Sequence, residues 1–381
     1  MRRAISLGLA GLLAIAVIVA IVVSTGGGGG GGSKTKRVVH GVIGSEKQPF
    51  FDDPKVKAAF GKAGYDVQVD TAGSRAIATT TDLSKYDFAF PAGTPQAQKI
   101  QRDRKIGTVY VPFFTPMAVA TFTPIADLLT TAGVVHQTAN GRILDMKAFM
   151  ALVARNARWS DLPNNTAYPV SKSILITSTD IATSNSAAMY AAIASYVANN
   201  NNVVAGPDQV PTVTNAVNPL FTRQGFAESS TEEPFNDYLS IGIGKTPMVM
   251  IYEAQFVDRA GQNDGSIGKD DVLLYPDPDV VSKHTLVPLT TTGDAIGRLL
   301  STDPELQRLA VVHGFRTANP RAFSDFVTQH HVSVAPDVLD VIEPPTYETL
   351  EALVTEISDA LHGTTPTTPT TPTTPTTRSS P

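Results

Sequence analysis

The chain is 381 residues long, carries 30 basic and 35 acidic side chains for a net charge of −5, and has no cysteine. No stripe of clustered Lys and Arg offers the phosphate neutralisation that nucleic acid demands, so that class of partner is excluded. Without cysteine there is no disulfide framework and no thiol for a lipid-anchored N-terminus, so stability must come from core packing.

Two arginines precede an uncharged apolar run over residues 4–23, followed by a glycine tract over 26–32. At about 1.5 Å per residue a helix of that length spans roughly 30 Å, the thickness of a bilayer's hydrocarbon core. The leading arginines are expected to stay cytoplasmic, placing everything after Ser24 outside the cell membrane in a single-pass arrangement. A cleaved signal peptide is the alternative, with Ser24-Thr25-Gly26 as its cleavage site. The run exceeds the roughly 7–15 apolar residues of a signal core, which favours a retained anchor. At the other end, Thr-Thr-Pro repeats from Thr364 have almost nothing to bury. They predict a disordered, polyproline-II-rich tail or an O-glycosylated stalk. The expected organisation is therefore an anchor or signal over 1–25, a glycine-rich linker over 26–37, a folded part over 38–362 and a tail over 363–381.

Within the folded part, the β-branched run Val38-Val39-His40-Gly41-Val42-Ile43 predicts a buried strand. Asp53 and Pro54 read as the N-cap and first residue of a helix with Val56, Ala59, Phe60 and Ala63 on one face. A strand over 65–70, a helix after Ala72-Gly73-Ser74-Arg75, a strand over 86–91 and a helix after Ala92-Gly93-Thr94 continue the alternation, which predicts a parallel α/β sheet. The pattern resumes with a helix over 146–157, a strand over 173–177 and a small-residue helix over 186–197. Strands follow inside 241–252, over 272–276 and over 285–289. Four helices around 294–300, 304–313, 322–330 and 347–361 close the chain. Some 330 residues are too many for one simple core, so two α/β units are expected.

Gly44-Ser45-Glu46-Lys47, Phe50-Phe51-Asp52-Asp53-Pro54 and Ala72-Gly73-Ser74-Arg75 resemble the opening of extracellular solute-binding proteins of the type 2 periplasmic fold. They are similar in particular to substrate-binding-domain proteins of actinobacteria. Trp159-Ser160-Asp161-Leu162, Thr183-Ser184-Asn185-Ser186 and His313-Gly314-Phe315-Arg316 are similar to that group as well, and the layout resembles molybdate- and phosphate-type binders. The resemblance implies two lobes joined by two crossing segments, near 111–116 and between 272 and 289. Lobe one would then hold 38–115 and 290–362, and lobe two 117–270. It also implies a non-catalytic monomer that closes on a small polar or anionic ligand and serves an ABC transporter or a sensor. Many such proteins carry a lipobox cysteine, and this chain has none.

Ser45, Ser74, Ser184 and Asn185 each stand where a strand hands over to a helix. Free N–H groups and the positive end of the helix dipole make an anion site there, while ordinary N-capping is the plainer explanation of each. Arg75 adds a planar fork for an oxyanion, or else an ion pair to an acid such as Asp70 or Asp87. Tyr252, at the end of a strand, either faces the cleft or packs in the core. No cofactor or metal is expected. Gly242-Ile243-Gly244-Lys245-Thr246 lacks the leading glycine of a P-loop, and residues 258–271 miss the calcium-loop spacing. His330-His331 has no metal-ligand spacing, and no G-x-S-x-G marks a serine hydrolase. A wall-associated adhesion or scaffold module and an extracytoplasmic hydrolase stand as the alternatives to solute binding.

Overall fold

The computed structural model describes residues 36–337 and 340–363. The expected anchor, most of the glycine-rich linker and nearly all of the Thr/Pro tail lie outside them. Among the described residues no helix is long and apolar enough to cross a membrane.

Nine strands, β1 (Arg37–Ile43), β2 (Tyr65–Thr71), β3 (Phe88–Phe90), β4 (Tyr110–Phe122), β5 (Val135–Thr138), β6 (Gly141–Asp145), β7 (Met248–Tyr252), β8 (Asp271–Asp277) and β9 (Val281–Pro288), form one continuous sheet. Its order is β2-β1-β3-β9-β4-β8-β6-β5, with β7 also on β4. The expected parallel grammar holds for β1 with β2 and β3, and for β6 with β8. It fails where the chain crosses the molecule: β9 runs antiparallel to β3, and β4 runs antiparallel to β7, β8 and β9. Strands buried on both faces read as continuous apolar runs whatever their direction, so the sequence pattern did not separate the two cases.

β4 is the long element of the sheet. Its first half, from Tyr110 to Pro116, pairs with β9, and its second half, from Met117 to Phe122, pairs with β7 and β8. The register slips between Tyr110 and Phe113, at Pro112, which cannot donate to a ladder. One strand thus runs from a first α/β half (β1–β3 with β9) into a second (β5–β8), and the β8–β9 connection brings the chain back.

The first half opens as its sequence predicts. Val39, Val42 and Ile43 of β1 are buried, and Gly41 faces Phe88 across the β1–β3 ladder. A Cβ at position 41 would lie 2.1 Å from the Phe88 ring, so glycine alone fits between them. Asp53 caps the helix Pro54–Lys62 by accepting from the Lys55 N–H at 2.6 Å, and Val56, Ala59 and Phe60 turn inward. Ala63 is exposed, because the helix has already ended at Lys62.

Three further expectations change. Residues 173–177 make no regular strand. Only Thr177 is laddered to β7, its N–H donating to Met248 and its carbonyl accepting from Met250, both at 2.9 Å. A β5–β6 hairpin and the helices Val210–Thr222 and Glu232–Ser240 appear where no element was read. The first of these helices was masked by Pro219 in its interior. Finally, the helix Tyr347–His362 was grouped with lobe one, yet its buried face enters the core of the second half. Leu350, Leu353, Val354 and Ile357 pack in one cluster with Ile193, Val217 and Leu220.

That helix should therefore be indispensable to the second half. Leu353→Ala removes a side chain that is 1% exposed, and a cost of about 2–5 kcal/mol is expected in urea unfolding. A loss below about 1 kcal/mol would show that the helix is peripheral.

Candidate functional site

The ends of β1 and β2 and the start of the helix Asn185–Ala198 meet in a small chamber. Gly44, Ser45 and Glu46 follow β1, and Ala72, Gly73 and Ser74 follow β2. Ser184 and Asn185 come from the second half, as do Ser229, Ser230, Thr231 and Tyr252. Five of the six residues singled out in the sequence, Ser45, Ser74, Ser184, Asn185 and Tyr252, line this one chamber. Its volume is about 20 Å3, room for little more than one water-sized group.

The two halves touch here. A Cβ on Gly73 would lie 2.4 Å from the Thr183 carbonyl oxygen, so the absence of a side chain is what lets the β2 turn approach the second half. Ser74 is 3% exposed, and its Oγ accepts the Ala92 N–H at 2.9 Å, locking the turn to the end of β3.

The helix Asn185–Ala198 supplies the donors. Its N-cap Ser184 makes no side-chain capping bond among the described residues. Ser184 Oγ lies 2.9 Å from Ser186 Oγ, which also meets Thr179 Oγ1 at 2.8 Å. The first-turn N–H groups of this 14-residue helix therefore keep their donors, at the positive end of its dipole. Asn185, 4% exposed, donates through Nδ2 to the Tyr252 hydroxyl at 3.0 Å. Its Oδ1 is buried with no partner among the described residues. Burial, and then the nearby Glu46 charge, push the Tyr252 phenol above its ordinary pKa, so the hydroxyl stays neutral.

Arg75 does not line the chamber. Its Nε donates to Glu351 at 2.7 Å and its Nη1 to the Ala182 carbonyl at 3.0 Å. Neither acid considered in the sequence is its partner. Asp70 accepts from the Tyr86 hydroxyl, and Asp87 from the His40 N–H and Thr290 Oγ1. The guanidinium is thus a tie between the first half, the loop before the helix Asn185–Ala198 and the C-terminal helix.

Sequence reasoning passed over the charged floor of the site. Lys47 and His284 are completely buried, and Lys47 Nζ is hydrogen-bonded and ion-paired to Glu46. His284 Nδ1 lies 3.1 Å from Lys47 Nζ and 3.4 Å from Glu46 Oε1. Nδ1 is thus the engaged edge of the ring, and Nε2 is buried with no partner among the described residues. Lys47 also sits 4.8 Å from the centre of the Phe90 ring. Burial alone would raise the Glu46 carboxyl, but the Lys47 ammonium and the adjoining His284 ring more than offset it and hold it down to about 2. Burial, and then the Lys47 charge, push His284 down to about 4. Burial lowers Lys47 below the ordinary lysine range, against the Glu46 charge that raises it, and the floor is a Glu46–Lys47 pair beside an imidazole that is neutral at pH 7. Among the described residues, no Arg, Lys or His side chain lines the chamber itself. Glu46-Lys47 was visible as a motif, but its meaning depends on His284, far away in sequence.

No protein-family model matches the chain, and no curated protein matches it. Solved structures do. The sulfate-binding protein SubI from Mycobacterium tuberculosis H37Rv is similar over 82% of this chain and 96% of its own length, at 16% identity and a TM-score of 0.52. An ABC transporter solute-binding protein from Thermotoga lettingae TMO, bound with α-D-tagatose, is similar over 87% and 96%, at 10% identity and a TM-score of 0.52. The apo ferric ion-binding protein A of Pasteurella haemolytica is similar over 86% and 96%, at 8% identity and a TM-score of 0.51. The architecture is that of the two-lobe type 2 periplasmic solute-binding proteins.

The buried floor makes the protein acid-sensitive. His284 takes up a proton near pH 6.5 when unfolded and only near 4 when folded, so the unfolded state binds more protons between those values and stability falls as pH drops through that window. Glu46 adds a second loss between about 4.5 and 2. The His284 share is on the order of 3 kcal/mol. Urea titrations of wild type and His284→Gln from pH 7 to 4 should show a shallower decline in the variant; parallel declines would refute the assignment.

Proposed function

We propose that this protein is a non-catalytic extracellular solute-binding protein that holds a small polar or anionic ligand between its two halves. Ser45, Ser74, Ser184, Asn185 and Tyr252 form the inner contacts, and the segment over residues 4–23 tethers the protein to the cell membrane. In this reading it delivers its ligand to an ABC transporter or signals its presence to a sensor. Lobe one comprises residues 38–115 and the segment that follows 290. The helix Tyr347–His362 is assigned instead to lobe two with 117–270, because its apolar face is buried there.

One observation carries the reading. An uncapped helix N-terminus opens into an interlobe chamber walled by hydroxyls, beside a buried amide oxygen that lacks a partner among the described residues. A buried polar group left unpaired costs about 1–3 kcal/mol, and Asn185 Oδ1 is an acceptor, so the occupant that satisfies it must bring an N–H or O–H of its own. The chamber offers neutral donors to an anion, and the Glu46–Lys47 pair keeps the floor free of net charge.

A ligand bound only by the native state raises stability by about 2.7 kcal/mol at a hundredfold excess over Kd. Thermal-shift screening of anions and small metabolites should identify a stabilising compound. Asn185→Ala should abolish its shift, whereas Arg75→Ala should lower the melting temperature of the unliganded protein and leave the shift in place. A compound that stabilises wild type and Asn185→Ala equally would remove this chamber as the site. Small-angle scattering of an unliganded protein with a single compact envelope that no ligand alters would count against a hinged binder.

A further inference from the structure

Two stretches that complete no motif in the sequence, residues 258–271 and the pair His330-His331, meet in the fold. They help to wall a cavity of about 470 Å3 whose lining shares no residue with the inner chamber. Arg142 comes to it from β6, Arg259 from the helix Glu253–Gln262 and Lys269 from the loop before β8. His330 and His331 follow the end of the helix Pro320–Gln329. The volume falls within the roughly 300–1,000 Å3 of a small-molecule pocket.

The charge of these walls is unbalanced. Three cations, Arg142, Arg259 and Lys269, stand against one lining carboxylate, Asp271, in a chain whose net charge is −5. Both Asp271 oxygens are engaged, one by the Tyr238 hydroxyl at 2.6 Å and the other by the Gly268 N–H at 2.7 Å. Arg142 and Lys269 make no ion pair and no side-chain hydrogen bond with another described residue. Arg259 is under-satisfied. Its Nε is buried with no partner among the described residues, and its Nη2 stands 4.0 Å from Asp264, beyond hydrogen-bond reach. That carboxylate accepts the Ser266 N–H at 2.9 Å instead. Arg259 and His330 sit at helix C-termini, where a cation is favoured in any case. Arg142, on a strand, and Lys269, in a loop, have no such reason to be there. Like charges gathered in a concave wall raise the local concentration of counter-ions.

We infer that this cavity is a second binding site, separate from the chamber and independent of the solute-binding reading, and that it takes a small polyanion with at least two negative charges, carried on phosphate or carboxylate groups. Arg142 and Lys269 supply the uncommitted charge that holds it. Arg259 adds a planar fork with an unmet donor, suited to an oxyanion of either kind. A singly charged ion would leave one of the two free cations unmatched, so the site favours multiple charge. Its enclosed shape favours a small molecule over an extended acidic surface.

Isothermal titration of the full-length protein at fixed ionic strength tests this with pyrophosphate and citrate, and with acetate as the singly charged control. At least one polyanion should bind at least about tenfold more tightly than acetate, and which one does so separates phosphate from carboxylate recognition. Arg142→Gln combined with Lys269→Gln should weaken that binding at least about tenfold. The melting temperature should not change, since neither side chain has a partner to lose. If the double variant does melt lower, Lys269→Gln alone, at an exposed loop position, carries the comparison with a loss of about two- to fivefold. Asn185→Ala, in the inner chamber, should bind the polyanion as wild type does. If neither polyanion outbinds acetate, or if the binding survives loss of Arg142 and Lys269, the inference falls. If Asn185→Ala abolishes it, the polyanion occupies the inner chamber, so the inference falls and the solute-binding reading stands.

Discussion

Arg316 is the joint on which both halves depend. Its backbone pairs with Phe114 of the crossing strand in both directions, at 2.9 Å each way. Its guanidinium meets the Glu253 carboxylate through Nε at 2.7 Å and Nη2 at 2.9 Å, and it also donates to the carbonyls of Ala335 and Pro336. Glu253 is wholly buried and opens the helix that follows β7. The Tyr275 hydroxyl of β8 donates to the same carboxylate at 2.6 Å. One bidentate pair thus joins β4, the helix after β7, β8 and the segment leading to the C-terminal helix. Removing either partner would strand a buried charge, at a cost of about 3–5 kcal/mol. That joint and the shared strand β4 tie the half that carries β1 and β2 to the half that carries β7, whose ends make the chamber.

The same economy of charge governs the site. A buried lysine beneath an anion chamber would ordinarily supply a strong positive field. Here Lys47 is neutralised by its sequence neighbour, and the adjoining histidine stays uncharged at neutral pH. What the chamber presents is hydroxyls, an amide and helix N–H groups rather than a net positive charge.

How much of this was legible in the sequence depended on range. Asp53-Pro54, the Gly73-Ser74 turn and the Ser184-Asn185 helix start are local signals, and each marks a real junction. Their convergence followed from strand-end logic in an α/β sheet. Arg75 was ambiguous for a physical reason. An arginine in a first helical turn signals a compensating negative charge, but the partner is Glu351, separated from it by 276 positions, with the Ala182 carbonyl as a second acceptor. The C-terminal helix was misplaced on similar grounds. An amphipathic helix announces a buried face without saying which core receives it. Lys47 and His284 were invisible as a pair because buried charge is recognisable only once its counter-charge is located.

Those long-range ties also bear on how the cleft works. The inner chamber admits little more than a water-sized group, so in the proposed solute-binding role a ligand would enter only if the halves parted. Few contacts oppose this at the chamber mouth. Arg75 donates to Ala182, and Gly73 and Gly93 leave room for Thr183 and the Asn185 amide respectively. A typical hydrogen bond nets about 0.5–1.5 kcal/mol, so the Arg75–Ala182 bond is a small part of what holds this edge. The Arg75–Glu351 pair, together with Arg102 on Glu348, binds the first half to a helix whose opposite face is sunk in the second-half core. That helix is therefore a strap across the seam. Any parting of the chamber edge would have to carry or break these two ion pairs.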